Sequence, residues 1–215
     1  MIEPYAGYWG KLPAHGDFLR AGLPEGAVSR LDRWISVQLA ESRARHGDAF
    51  ETLWHKAPTW YFTIRPGVLE EGHAATGIWT PSIDAAGRCF PFVFVILHDP
   101  ASPFYRGLVP FENAIRTAVE QTQSVQALEE AIGVAGCVPI PSAAPVHDVW
   151  WCVGNAGWGT IHGALPVDDA FDWLIEGKSL GAGETMAQAS DEAVSDGGSP
   201  AGEVPPDAWS GEAGQ

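Results

Sequence analysis

The sequence predicts an α/β domain of the α+β kind, with a central, mainly antiparallel sheet of about five strands flanked by helices. Three observations carry that expectation. Of the 215 residues, 46% are hydrophobic, ten Trp and nine Phe among them, which is ample material for the core of one domain. The hydrophobic spacing alternates between the period of a helix and that of a strand, in the order helix, strands, helices, strands, helix. Finally, Phe92-Val-Phe-Val-Ile-Leu is apolar on both faces, the pattern of a strand in mid-sheet covered on both sides.

Each element has its own local signal. Val28, Leu31, Ile35 and Leu39, with Trp34 beside them, fall at helical spacing behind Pro24, a residue suited to a first turn. That helix should stop near Gly47. Asp48 is placed to cap a short second helix with the stripe Phe50, Leu53 and Trp54, ended by Pro58. Thr59 to Ile64 reads as a strand rich in aromatic and β-branched residues, and Ala75 to Thr80 as a second. Ser82 to Arg88 is a turn, and the central strand follows from Arg88 to His98. Phe111, Ile115, Val119 and Thr122 mark a longer helix, and Val125, Leu128 and Ile132 a shorter one after Ser124. Pro139 to Pro145 is a proline-broken loop. Val149 to Val153 and Thr160 to Gly163 read as two more strands around a glycine-rich turn, and Val167 to Glu176 as a closing helix. No fixed-period repeat is visible.

Charge bounds the function. Twelve Lys and Arg against 27 Asp and Glu leave a net of −15, so nucleic acid is not an expected partner and an anionic membrane surface is disfavoured. The distribution is uneven. Residues 1–65 carry eight basic and seven acidic side chains, residues 66–180 four and thirteen, and residues 181–215 none and seven. The last stretch, rich in Gly, Ala, Ser and Pro, can bury too little apolar surface to offset its ordering entropy. The chain is therefore divided into a domain over 1–180 and a disordered acidic tail or linker over 181–215. The longest apolar run, Cys89 to Leu97, is nine residues and contains Pro91, too short to insert in a bilayer. The start has no basic flank or apolar stretch of a secretory signal. Three widely spaced cysteines, Cys89, Cys137 and Cys152, fit reduced thiols. A cytoplasmic location is expected.

The chemical motifs in the chain have plainer readings. Gly177-Lys178-Ser179 has Asp172 where a phosphate-binding loop needs glycine, so it reads as a helix end. Gly154 to Gly159 lacks the third glycine and the following helix of a dinucleotide loop, and reads as a hairpin turn. Cys137, His147, Cys152 and His162 contain no close pair of the kind that begins a zinc site. No Gly-x-Ser-x-Gly elbow is present. No cofactor, metal or catalytic residue is expected.

Two stretches stand apart. The first, residues 7–20, sets Lys11, His15, Asp17 and Arg20 among glycines and the apolar Trp9, Leu12, Phe18 and Leu19. The second, residues 81–91, is Pro-Ser-Ile-Asp-Ala-Ala-Gly-Arg-Cys-Phe-Pro. Together they resemble the signatures of TagF, also called the ImpM family, proteins associated with type VI secretion systems. The family's Gly-x-x-Gly-Lys-Leu-Pro-x-x-Gly-Asp-Phe is matched by Gly7, Gly10, Lys11, Leu12, Pro13, Gly16, Asp17 and Phe18. Its Pro-Ser-x-Asp-x-x-Gly-Arg-x-Phe-Pro is matched by Pro81, Ser82, Asp84, Gly87, Arg88, Phe90 and Pro91. The Trp150-Trp151 strand and the closing Leu165-Pro166 helix also match, so the resemblance spans about residues 5–178.

The resemblance implies a non-enzymatic cytoplasmic protein that holds the secretion apparatus silent post-translationally, in association with its forkhead-associated scaffold. It also implies a longin-like α/β fold. Some relatives carry a fused PP2C-type phosphatase, which is not expected within these 215 residues. Two alternatives of other classes are a small hydrolase using Ser82 or Asp84 beside a histidine, and a structural adaptor bound permanently to the apparatus.

The residues suggest roles. Asp17, in a turn after Gly16, and Arg88, at the head of the central strand, are expected to pair and staple the N-terminal loop to the sheet. Gly10, Pro13, Gly16, Phe18, Pro81, Ser82, Asp84, Gly87 and Pro91 are expected to be structural. Lys11, His15 and Arg20, with Arg30 and Arg33 on the outer face of the first helix, are expected to be exposed and to meet an acidic partner surface. The tryptophans at 34, 54, 60, 79, 150 and 151 are expected mostly in the core.

Overall fold

A computed structural model describes residues 4–101, 107–135, 147–154 and 157–177. The proline-broken loop and the acidic stretch 181–215 lie outside the described residues. The strands are β1 (Tyr5–Gly10), β2 (Leu19–Ala21), β3 (Trp60–Ile64), β4 (Ala74–Thr80), β5 (Phe92–His98), β6 (Val149–Gly154) and β7 (Gly157–His162). They form one sheet in the order β2-β1-β5-β4-β3-β6-β7, with every neighbouring pair antiparallel. The five strands expected from periodicity are β3 to β7. The sheet has seven, because the N-terminal signature is not a loop but the hairpin β1–β2.

Glycine disguises that hairpin. Gly10 sits at φ +144°, and a Cβ placed there would lie 2.2 Å from the Pro91 carbonyl oxygen. A Cβ on Gly7 would lie 2.4 Å from the Ala21 carbonyl oxygen. Neighbouring backbone approaches so closely at both positions that only glycine fits, and glycine is what a propensity reading takes for a break.

The helices are α1 (Glu25–His46), α2 (Phe50–Trp54), α3 (Val109–Glu120), α4 (Val125–Ala135) and α5 (Asp169–Glu176). Pro24 is the cap residue of α1, and the Gly47 N–H closes its other end on the Arg43 carbonyl. Asp48 does not cap α2. It lies inside a 3₁₀ turn, Gly47–Ala49, that runs straight into α2, where no side chain caps the first turn. The Ser124 hydroxyl accepts from the Ala127 N–H at the start of α4.

Alternation along the strands sends side chains into two cores. In β5, Val93, Val95 and Leu97 join α1, α2 and α5 on one face, while Phe92, Phe94 and Ile96 join α3 and α4 on the other. All seven residues of β5 are buried, as expected of a doubly covered central strand. Trp34, Trp54, Trp60, Trp79 and Trp150 are buried in the first core, and Trp151 stacks on Tyr61 at 5.7 Å. Four of those indoles donate to backbone carbonyls: Trp34 to Pro166, Trp54 to Ser82, Trp60 to Leu174 and Trp150 to Ala164. A buried N–H left unpaired would offset much of the ring's burial.

Side-chain clips tie the helices to this frame. Tyr8 of β1 donates to Glu129 of α4 at 2.6 Å, and Tyr61 of β3 donates to Glu112 of α3. Arg45 of α1 takes Asp172 of α5 with two nitrogens, at 2.6 and 3.1 Å, and the side-chain Oε1 of Gln38 accepts from the Asp168 N–H at 2.7 Å. No helix of the described residues is long and apolar enough to cross a membrane.

Candidate functional site

The antiparallel register of β1 with β5 sets Gly10 opposite Phe92. The next residue, Lys11, therefore enters the structure beside the second signature, and its N–H bonds to the Pro91 carbonyl at 3.3 Å. The second signature folds back on itself. Ile83 and Cys89 form an isolated bridge, and the Asp84 N–H donates to the Arg88 carbonyl at 3.1 Å. The Ala85 N–H reaches across to the His15 carbonyl at 2.9 Å. The two signatures thus interlock, although 73 positions separate Lys11 from Asp84.

At the centre is a buried ion pair. Lys11 Nζ lies 2.8 Å from Asp84 Oδ2, with Lys11 7% and Asp84 1% exposed. Arg88 Nε donates to the same oxygen at 2.6 Å, and the N–H groups of Ala86 and Arg88 both donate to Oδ1 at 2.9 Å. Burial alone would raise the Asp84 pKa. The bonds from Lys11, from the two amides and from the guanidinium outweigh it and hold the carboxyl well below its usual range. With these four donors on its two oxygens Asp84 is an anion at neutral pH, committed to structure and unsuited to proton transfer.

Aromatic rings roof this pair. The Lys11 ammonium lies 4.7 Å from the Phe18 ring centroid and 5.9 Å from that of Phe90. Phe18 stacks on Trp9 at 5.4 Å and 6°, and meets Phe90 edge-on at 4.8 Å. Yet Phe18 is 48% exposed, the one aromatic side chain so open among the described residues. A ring clamped on its inner face and wet on its outer face is a ready contact surface.

The sequence-derived roles change accordingly. Lys11 is not an exposed recognition cation, because Asp84 draws it inside. Asp17 and Arg88 do not pair: Asp17 is exposed, and Arg88 bonds to Asp84 instead. The staple exists, but its partners are Lys11 and Asp84. His15 is half-buried and its Nε2 accepts from the Val125 N–H at 3.0 Å. It thereby supports the N-terminus of α4. Arg20, Arg30 and Arg33 are exposed, as expected. Arg20 reaches Glu25 at 2.7 Å, and Arg30 donates to the Leu69 carbonyl. Gly16 is exposed, and Gly87 takes the positive φ of its turn.

Ser82 is buried, its hydroxyl 3.5 Å from the Ile83 carbonyl, at the limit of a hydrogen bond. Its own carbonyl accepts from Trp54 Nε1 at 2.8 Å and from the Phe90 N–H at 3.1 Å. Pro13, Pro81, Ser82 and His55 share the lining of a cleft of about 150 Å3, but no hydrogen bond joins Ser82 or Asp84 to a histidine side chain among the described residues. Nor does any group of three His, Cys, Asp or Glu side chains there suit a metal ion. Two contributors escaped the sequence reading. Phe90, matched in the second signature but given no role there, completes the aromatic roof, and Arg43, in the last turn of α1 and not singled out at all, donates to the Cys89 carbonyl at 3.0 Å.

Comparison with known proteins agrees with the interlocked signatures. The model of a family described as the TagF N-terminal domain, type VI secretion system-associated, matches residues 7–134, from β1 to α4. A crystal structure of PA0076 from Pseudomonas aeruginosa PAO1 is similar at TM-score 0.68 and 25% sequence identity, covering 91% of this chain and 100% of that one. No curated protein matches the chain.

Proposed function

The chain belongs to the TagF family of type VI secretion system-associated proteins, and from that premise we propose that it is a non-enzymatic, cytoplasmic, post-translational repressor of such a system. It acts by binding the apparatus's forkhead-associated scaffold or another cytoplasmic component. The observation that supports binding over chemistry is Phe18. The buried Lys11–Asp84 pair and the Trp9 ring hold an exposed aromatic side chain in a fixed orientation. Such an ordered anchor loses little entropy on association. Arg20, Arg30 and Arg33 lie in the least acidic part of the chain, and suit long-range attraction of an acidic partner.

The test is secretion itself. Raised levels of the wild-type chain should silence the system, and Phe18→Ala with Arg20→Glu should relieve that silencing at equal abundance. Silencing by the doubly substituted chain at wild-type strength would move the interface away from this face. The hydrolase alternative draws on the cleft shared by Ser82 and His55. Turnover of a generic ester that disappears in Ser82→Ala would favour it over the repressor. Stoichiometric copurification with the assembled apparatus, without silencing, would favour the adaptor.

A further inference from the structure

Beside the buried pair, an open groove of about 560 Å3 runs between the 3₁₀ corner joining α1 to α2 and the turn of the second signature. Arg43 and Arg88 line it, and so do Phe50, Asp48 and Glu51. Both arginines are ordered before any partner arrives. Arg43 lies over the Phe50 ring at 5.1 Å and bonds to the Cys89 carbonyl. Arg88 is held through Nε by the fully buried Asp84 carboxylate, while its side chain stays 66% exposed. Its two terminal nitrogens make no hydrogen bond among the described residues and form the half of the guanidinium that can fork onto a carboxylate. Phe18 and Arg88 are fixed by one and the same pair, Phe18 through the Lys11 ammonium and Arg88 through the Asp84 oxygen. Phe90, two residues beyond Arg88, packs edge-on against Phe18. The aromatic anchor and the arginine groove therefore adjoin across the one buried pair.

We propose that this surface recognises a segment of the partner protein carrying an apolar side chain close to a single acidic one. The apolar group packs on Phe18 and the carboxylate takes the fork of Arg88. This deepens the binding-repressor reading and rests on it. Charge supports the choice of occupant. The whole chain carries −15, whereas the groove lining is balanced, Arg43 and Arg88 against Asp48 and Glu51, so a single carboxylate meets less repulsion here than the net charge would impose. Asp48 and Glu51 on the groove lining limit the preference to an isolated carboxylate. A run of acids, or a polyphosphate, would be repelled by them.

The test uses the full chain and the purified forkhead-associated scaffold, followed by peptides tiling that scaffold, with affinity read by calorimetry. Arg88→Gln and Phe18→Ala should each weaken scaffold binding by about tenfold or more, with melting temperature changed by only a few degrees. Arg88→Lys should not restore it, because an ammonium cannot replace a planar fork. In the tightest-binding peptide, changing its acidic residue to the amide should weaken binding to the wild-type chain but not further weaken binding to Arg88→Gln. Wild-type affinity in both Arg88→Gln and Phe18→Ala would overturn the inference while leaving the repressor reading intact, above all if Arg33→Glu then abolishes binding. Fully additive losses in the peptide cycle would overturn the carboxylate fork. No binding of scaffold or peptide by the wild-type chain would overturn both this inference and the scaffold-binding reading beneath it.

Discussion

Lys11 and Asp84 face each other where almost no water reaches, and the consequence of removing either depends on what the survivor retains. Asp84→Ala strands a buried ammonium, a change that typically destabilises by about 3–5 kcal/mol. Lys11→Met leaves Asp84 with Arg88 and two amides, and the new side chain keeps its contact with the Phe18 and Phe90 rings. Its cost should be smaller, about 1–2 kcal/mol. Urea unfolding of the two variants measures the difference, and the reverse order would mean that Arg88 and the two amides cannot hold Asp84 without Lys11. Phe18→Ala should lower stability by less than about 1.5 kcal/mol, since half the ring is already wet.

β1 and the helices α3 and α4 depend on contacts that individual residues make with neighbouring elements. Gly10→Ala would push a methyl group into the Pro91 carbonyl from a backbone that disfavours any side chain, so β1 must move away from β5. A loss of about 2 kcal/mol or more is expected in urea unfolding. Stability unchanged by that substitution would show that β1 can shift without cost. The tyrosine clips respond to base. Burial, then the bonds to Glu129 and Glu112, push the phenols of Tyr8 and Tyr61 upward. Between the unfolded value near 10 and the higher folded value, the unfolded state loses protons that the folded state keeps. Stability contributed below about pH 10 is therefore lost as pH rises beyond it. Tyr8→Phe with Tyr61→Phe should flatten that loss, measured by thermal melting across pH 9 to 11.

For the whole molecule, acid acts through two buried carboxylates and through net charge in opposite senses. Burial alone would raise both Asp84 and Asp172, but their bonds to Lys11, Arg88 and Arg45 lower them instead. Each then contributes stability that is present above the unfolded value near 4 and is lost as pH falls through the depressed folded values. Self-repulsion from −15 at neutral pH eases on mild acidification. Stability should accordingly peak near about pH 5–6 and fall steeply below about pH 4. Asp84→Asn should shallow the acid limb, and a curve still rising below pH 4 would contradict the assignment. The sheet also extends beyond the region matched by the family model. β6, β7 and α5 lie after residue 134, yet β6 pairs with β3 and α5 packs its Phe171 into the first core.

Local hydrophobic pattern was enough to place β3 to β7 and all five helices, because a half-buried strand, a doubly covered strand such as β5 and an amphipathic helix each write their exposure into neighbouring residues. The local sequence, through its clustered glycines, prolines and charges, also singled out both signatures. It did not reveal β1, where glycine answers to backbone brought close by β2 and β5. Nor did it show that Lys11 lies inside or that Asp84, not Asp17, is the buried acid. The sequence had offered opposite charges in both signatures and no rule for pairing them. Register supplied the rule: setting Gly10 against Phe92 carries Lys11 to a carboxylate 73 residues away. A charge's burial is decided by what the folded chain brings beside it, so residue type alone determined which groups were available and the tertiary structure determined which of them met.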